Sequence, residues 1–197
     1  AFTQTPDGWL WLGGHNGLFR FDGVRFERFV PVSGDPLPKA PITTLRAEPN
    51  GDLWIGYTSA GLSVLRQGKL THVASSRPDS PISSATYSIV VDTDNSVWAA
   101  TSLGLRHYSG GKWNIIGEEA NIPPPPGTTD NVGIDRTGQL WVTNSHTVYR
   151  LARQSGKFEP VGLHGTASSL IHSPDGEVWA RSATLFTTSS IDWTPRS

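Results

Sequence analysis

Pro6-Asp7-Gly8-Trp9-Leu10-Trp11-Leu12-Gly13 returns further along the chain as Pro49-Asn50-Gly51-Asp52-Leu53-Trp54-Ile55-Gly56. Three more copies follow: Thr93-Asp94-Asn95-Ser96-Val97-Trp98-Ala99-Ala100, Arg136-Thr137-Gly138-Gln139-Leu140-Trp141-Val142-Thr143 and Pro174-Asp175-Gly176-Glu177-Val178-Trp179-Ala180-Arg181. Each copy reads as a turn, one variable residue, an aliphatic residue and a Trp. Successive tryptophans of this column lie 43, 44, 43 and 38 positions apart. A fixed period of roughly 40 to 50 residues is the signature of an array of small structural units.

The second copy shows what one unit contains. Ile42 to Glu48 is a β-compatible run that ends at Pro49-Asn50-Gly51, where glycine supplies positive φ at little cost. Leu53 to Tyr57 makes a second strand. The small residues Ser59-Ala60-Gly61 turn into Leu62 to Leu65, and Gln67-Gly68 leads to Leu70 to Val73. Four short antiparallel strands per unit follow. Gly17-Leu18, Gly61-Leu62 and Gly104-Leu105 open the third strand, while Phe26, Leu70, Trp113, Phe158 and Trp193 begin the fourth. Units four and five have Thr147 and Thr184 in place of that glycine, which predicts a different turn.

Apolar residues fill consecutive positions, as in Trp9-Leu10-Trp11-Leu12 and Ile89-Val90-Val91, so both faces of each sheet are buried. Sheets covered on both sides by their neighbours are what a β-propeller provides. The fold expected is therefore all-β, a β-propeller of five four-stranded antiparallel blades at about 1–30, 42–74, 84–117, 129–162 and 167–197. A sandwich of about twenty strands is the alternative, and it has no reason to repeat a Trp register. Every unit runs in one phase from innermost to outermost strand, with no terminal strand left to complete a blade. The five blades are accordingly expected to form an arc of a larger ring, with self-association through the end blades.

Composition narrows the function. Of 197 residues only 17% are charged, 21 are glycine and 15 proline, a balance that disfavours long exposed helices. The net charge is −1 and no basic block is present to meet phosphates, so nucleic acid is not an expected partner. No stretch approaches 18 uncharged apolar residues, which predicts no membrane-spanning helix in these residues. Cysteine is absent, which removes disulfides, thiol catalysis and cysteine zinc sites. Methionine is absent too, and the opening at Ala1 reads as a mature form, an engineered piece or an excised one.

Asp or Asn, Gly, one residue, aliphatic-Trp-aliphatic-Gly, followed by Gly17-Leu18-Phe19-Arg20-Phe21-Asp22-Gly23 and Phe26, resembles the two-component regulator propeller repeat. Thr5 to Phe29 matches best, unit two well and unit three fairly, while units four and five keep the Trp but lose several glycines. The resemblance implies the extracytoplasmic sensor region of a bacterial membrane receptor, on the periplasmic or outer side, in a longer parent chain with a histidine kinase or diguanylate cyclase output domain. It implies more blades than five. The repeated residues are structural and do not identify a ligand.

The chain shows no Gly-x-Ser-x-Gly elbow, phosphate-binding loop or dinucleotide fingerprint, and binding without catalysis is the first reading. The alternative is a propeller hydrolase or lyase acting on polysaccharide, with His15, His146 and nearby acids gathered at one mouth of the ring. The six histidines, at 15, 72, 107, 146, 164 and 172, lack metal-pair spacing, so neither metal nor other cofactor is expected. Asp92-Thr93-Asp94-Asn95-Ser96 begins like a calcium loop but reads as a hairpin turn. Trp9, Trp113 and Trp193 fall outside the repeated column and are candidate stacking surfaces for a sugar ring. Pro123 to Pro126 reads as a stiff connection.

In a propeller the turns between second and third strands share a face with the connections between blades, and loops there form the natural ligand surface. The ligand-binding residues expected on it are His15, Asn16, Ser59, Ser102, Asn144, His146 and Arg181. The ligand expected is a small molecule or glycan. The connections near Pro31 to Pro41, Ala74 to Thr86 and Gly117 to Asp130 join the same surface.

Overall fold

A computed structural model describes residues 1–73, 84–122, 129–144 and 147–161, together with the backbone of three later strands. Each repeat unit folds into its own antiparallel sheet. Blade one holds β1 (Phe2–Gln4), β2 (Leu10–Gly14), β3 (Gly17–Phe21) and β4 (Phe26–Arg28), hydrogen-bonded in chain order. Blade two is built on β6 (Ile42–Ala47), β7 (Leu53–Tyr57), β8 (Leu62–Arg66) and β9 (Lys69–Val73). Blade three holds β10 (Thr86–Val91), β11 (Val97–Thr101), β12 (Gly104–Ser109) and β13 (Lys112–Ile116). Blade four holds β14 (Asn131–Ile134), β15 (Leu140–Asn144), β16 (Thr147–Ala152) and β17 (Lys157–Val161). Blade five shows β18 (Ala167–His172), β19 (Val178–Ser182) and β20 (Thr188–Ser190); its fourth strand, expected at Trp193, lies outside the described residues. Pro123 to Pro126 and the turn at Thr184 also lie outside them.

One strand departs from the four-per-blade plan. β5 (Ser33–Gly34), in the connection after blade one, pairs in parallel with β9 and gives blade two a fifth, outermost strand. The pairing is short and crosses from one repeat to the next, so no periodicity within a unit announces it.

The first hairpin of each unit is built the same way four times. Thr5, Glu48, Asp92 and Asp135 each donate their N–H to the carbonyl four residues on, at 2.8 to 3.1 Å, and accept from the N–H three residues on at 2.9 Å. That third residue has positive φ: Gly8 at 91°, Gly51 at 88°, Asn95 at 63° and Gly138 at 80°. Asparagine tolerates the left-handed region, so the third copy keeps the turn without the glycine. The segment from Asp92 to Ser96 is thus a hairpin turn. Gly17, Gly61 and Gly104 open their third strands with positive φ, while the turn that leads into Thr147 lies outside the described residues.

The repeated Trp joins each blade to the next. Trp11 packs with Ile42, Leu45, Leu53 and Ile55 of blade two. Trp54 packs with Ile89, Val97 and Ala99 of blade three, and Trp98 with Val132, Leu140 and Val142 of blade four, where Phe158 meets it edge-on at 5.9 Å. All are at most 6% exposed, as is Trp141. Trp179 pairs with Ile171 in the register that Trp98 has with Val90, which places it in the same column. Close approach of the blades requires small residues two positions on. A Cβ added at Gly13 would lie 2.4 Å from Ile42 Cγ2 of blade two, and one at Gly56 3.0 Å from Thr86 Cγ2 of blade three.

Substantial contacts between blades run only between sequence neighbours among the described residues: β6 against β1 and β2, β10 against β6 and β7, β14 against β10 and β11, β18 against β14 and β15. Among the described residues no contact of comparable extent joins the first sheet to the last. No described helix is long and apolar enough to cross a membrane.

Candidate functional site

The second-to-third-strand turns and the blade connections come together on one face. Thr58 N–H donates to Pro41 O at 2.9 Å and Ser102 N–H to Ala85 O at 2.9 Å, so each turn is stitched to the residues that enter its own blade. Thr129 N–H reaches Thr101 O of the preceding blade at 3.2 Å. At this end the innermost strands of blades two, three and five break register, between Ile42 and Thr44, Thr86 and Ser88, and Ala167 and Ser169. Such bulges re-aim side chains and are frequent beside functional sites. The bulge in blade three exposes Tyr87. Sequence reasoning did not single out this tyrosine, because a one-residue slip leaves no trace in an apolar pattern.

His15 and Asn16 are exposed at the tip of the β2–β3 turn, and Ser59 is exposed in the β7–β8 turn. Ser102 is half-buried and already engaged: its Oγ accepts the Ala85 N–H at 3.1 Å. That makes it a clamp on the incoming connection. Asn144 ends β15 opposite Thr147 and is half-buried. Arg181 sits in β19 in register with Ser169 and Thr188. His146 lies outside the described residues, so the pairing of His15 with His146 has no geometry here. Topology therefore sets the described candidates on separate blades, in the second-to-third-strand turns or at the end of the second strand that leads into them. The Oγ1 atoms of Thr129 and Thr143 are buried without a hydrogen-bond partner among the described residues.

Polar groups elsewhere have structural explanations. On the opposite face Arg153 of blade four donates two hydrogen bonds to Asp92 of blade three, at 2.8 and 3.1 Å, and Trp98 Nε1 donates a third at 3.0 Å. Burial opposes ionisation of Asp92, but Arg153, the Thr93 N–H and the indole outweigh it and hold the carboxyl below its ordinary value. His107 stacks on Trp98 at 3.8 Å and bonds Ser96 Oγ at 2.8 Å; burial lowers its pKa against the pull of Asp94 and Asp92. Ser63 Oγ stands 3.1 Å from His72 Nδ1, a distance that would suit a nucleophile and its base. Ser63 is fully buried, however, and also accepts from Tyr57 OH at 3.2 Å, so the group fills the core of blade two. Burial raises the Tyr57 pKa to about 12 despite that hydrogen bond.

Both described off-column tryptophans are half-buried and carry a neighbour against the ring. Arg20 lies 4.2 Å over the Trp9 ring, and Trp113 packs on Tyr108 at 5.1 Å. Trp193 lies outside the described residues. Among the described residues no three His, Asp or Glu side chains group as metal ligands do.

No family model matches the sequence, and no curated protein matches it. Solved structures do. The extracellular domain of the hybrid two component system BT3049 from B. thetaiotaomicron superposes with a TM-score of 0.72 at 18% identity, over 96% of this chain and 29% of that one. The extracellular domain of the one component system BT4673 from the same organism gives 0.70 at 17% identity, over 91% and 25%. Virginiamycin B lyase from Staphylococcus aureus gives 0.70 at 15% identity, over 98% and 70%. At these identities the likeness is one of fold, the β-propeller. The chain spans between a quarter and a third of the length of the two signalling domains.

Proposed function

We propose that this chain is a ligand-sensing β-propeller module of a bacterial signal-transduction receptor, of the two-component regulator propeller type, placed on the extracytoplasmic side and working by binding. The observation that carries the reading is the coincidence of two independent ones. The Asp-Gly-x-aliphatic-Trp repeat resembles that of such sensors, and the fold it produces superposes on extracellular domains of signalling systems over nearly the whole chain. The ligand, a small molecule or glycan, meets the loop face through His15, Asn16, Ser59, Asn144, His146 and Arg181, with Ser102 holding the loop beside it. The end blades provide surfaces for self-association, and an output domain belongs to a longer parent chain.

A thermal-shift screen of glycans and small metabolites, coupled to product analysis, tests this reading. A ligand that raises the melting temperature and is recovered unchanged supports it. The lyase neighbour, matched as well as the sensors, keeps the second reading of a propeller enzyme in play. Steady product release from a polysaccharide, lost in His15→Ala or His146→Ala, decides for the enzyme.

A further inference from the structure

The connection between blades one and two is held as a strap, and the strap makes a cleft. Val32 N–H donates to Gly68 O at 3.1 Å, Ser33 and Gly34 pair with Lys69 and Leu70, and Asp35 N–H reaches Leu70 O at 2.8 Å. Asp35 Oδ2 then accepts the His72 N–H at 2.7 Å. Only glycine fits at position 34, where φ is 85° and an added Cβ would lie 2.0 Å from the Leu70 carbonyl oxygen. The facing wall is fixed as well: Phe29 N–H donates to Leu18 O at 2.9 Å, and the Phe29 ring meets Trp11 edge-on at 5.0 Å.

Between these walls lies a solvent-open cleft of about 530 Å³, within the span of small-ligand sites. It opens beside Gly17, which directly follows the His15-Asn16 turn. Leu18, Phe29 and Leu37 give it an apolar floor. Two opposite charges line it. Arg28 is exposed, stands over Gly17, and its guanidinium has no hydrogen bond or ion pair among the described residues. Asp35 has one carboxylate oxygen on the His72 N–H, and no described residue bonds the other.

A monovalent anion would meet Asp35 as well as Arg28, and a cation the reverse. A ligand carrying both charges beside an apolar group satisfies all three features. Resting on the reading of the loop face as the ligand surface, we infer that this cleft binds a free apolar α-amino acid as its zwitterion. The carboxylate goes to Arg28, the ammonium to Asp35, and the side chain to the floor formed by Leu18, Phe29 and Leu37.

The experiment is a titration of the whole chain with L-phenylalanine followed on backbone amides by NMR, beside N-acetyl-L-phenylalanine and L-phenylalaninamide. Saturable shifts are expected at Gly17, Ser33 and Gly34. Removing either ligand charge should weaken binding about three- to fivefold, the worth of one solvent-exposed charge contact. Arg28→Gln should erase the preference for the acid over the amide, and Asp35→Asn, which keeps an acceptor for His72, the preference for the amine over its acetylated form. The absence of saturable shifts in the cleft, equal binding of the capped ligands, or variants that leave both preferences intact would overturn the inference. Shifts confined to Ser59, Ser102 and Asn144 overturn the cleft alone and leave the loop face standing. A loop face silent to this titration and to the whole screen removes both.

Discussion

Trp54 touches both sides of a blade interface and is 4% exposed, so its side chain is a structural joint. Trp54→Ala removes a large aromatic and leaves a cavity between two rigid sheets, which should cost about 3 to 5 kcal/mol in chemical denaturation. A loss below about 1 kcal/mol would mean that the sheets close over the gap. The indole nitrogens add specificity. Trp11 donates to Thr5 Oγ1, Trp98 to Asp92 and Trp141 to Asp135, each the residue six positions earlier. Those acceptors also begin the first hairpin, so one residue secures both the turn and the Trp orientation. The Trp column, the turns and the small residues at Gly13 and Gly56 were legible in the sequence because each is local to its unit. The acceptor role of Thr5, Asp92 and Asp135 was not, because three different environments share only a distance along the chain.

At the scale of elements, blades three and four are tied by a pair of unequal exposure: the Asp92 side chain is 2% exposed and that of Arg153 41%. Arg153→Ala strands a buried carboxylate, while the arginine, were Asp92 lost, could return to water. The cost at neutral pH should be about 2 to 3 kcal/mol, below that of a fully buried pair because one partner is wet. Asp92 has a folded pKa below its unfolded value of 3.8. Its stabilisation is thus present above that value and is lost as pH falls through the folded pKa. Arg153→Ala and the parent should therefore converge in stability in urea titrations carried below pH 3.8; a constant gap would assign the effect to packing. His107, lowered from 6.5, acts earlier in the same direction: its contribution is present above pH 6.5 and wanes as pH falls through its folded pKa. The strap is the other element-level device. Gly34→Ala forces a Cβ onto the Leu70 carbonyl and should cost about 1 to 3 kcal/mol, with loss of hydrogen-exchange protection at the Val32 amide. Neither device was readable from the repeats, since both cross from one unit to another. The candidate site was legible only as a set of turns on one face, because loop length and polarity set where a ligand can come but not which side chains converge on it.

Across the whole molecule the repeat itself defines what an end blade lacks. Leu53 and Ile55, Val97 and Ala99, and Leu140 and Val142 are each at most 1% exposed, covered by the Trp of the blade before. Their counterparts in blade one are Leu10 and Leu12, which are only half-buried. Strand register places Phe2 and Phe19 beside Leu12, and Phe21, stacked on Phe26 at 4.3 Å, beside Leu10. Six apolar side chains thus share a sheet face on which Phe2 is 77% and Phe26 64% exposed. A contiguous patch of that kind on a sheet made to be covered favours association. The chain in solution should accordingly gain mass with concentration in light scattering or sedimentation, and Phe2→Glu with Phe26→Glu should shift it towards monomer without loss of the β signature, since both positions already face water. An arc of blades, as the one-phase repeat implies, would give a scattering profile more elongated than that of a closed ring of five. A monodisperse monomer at high concentration, with the compact profile of blade one seated on blade five, would show that the molecule covers this face itself, and the double substitution should then unfold it and not disperse it.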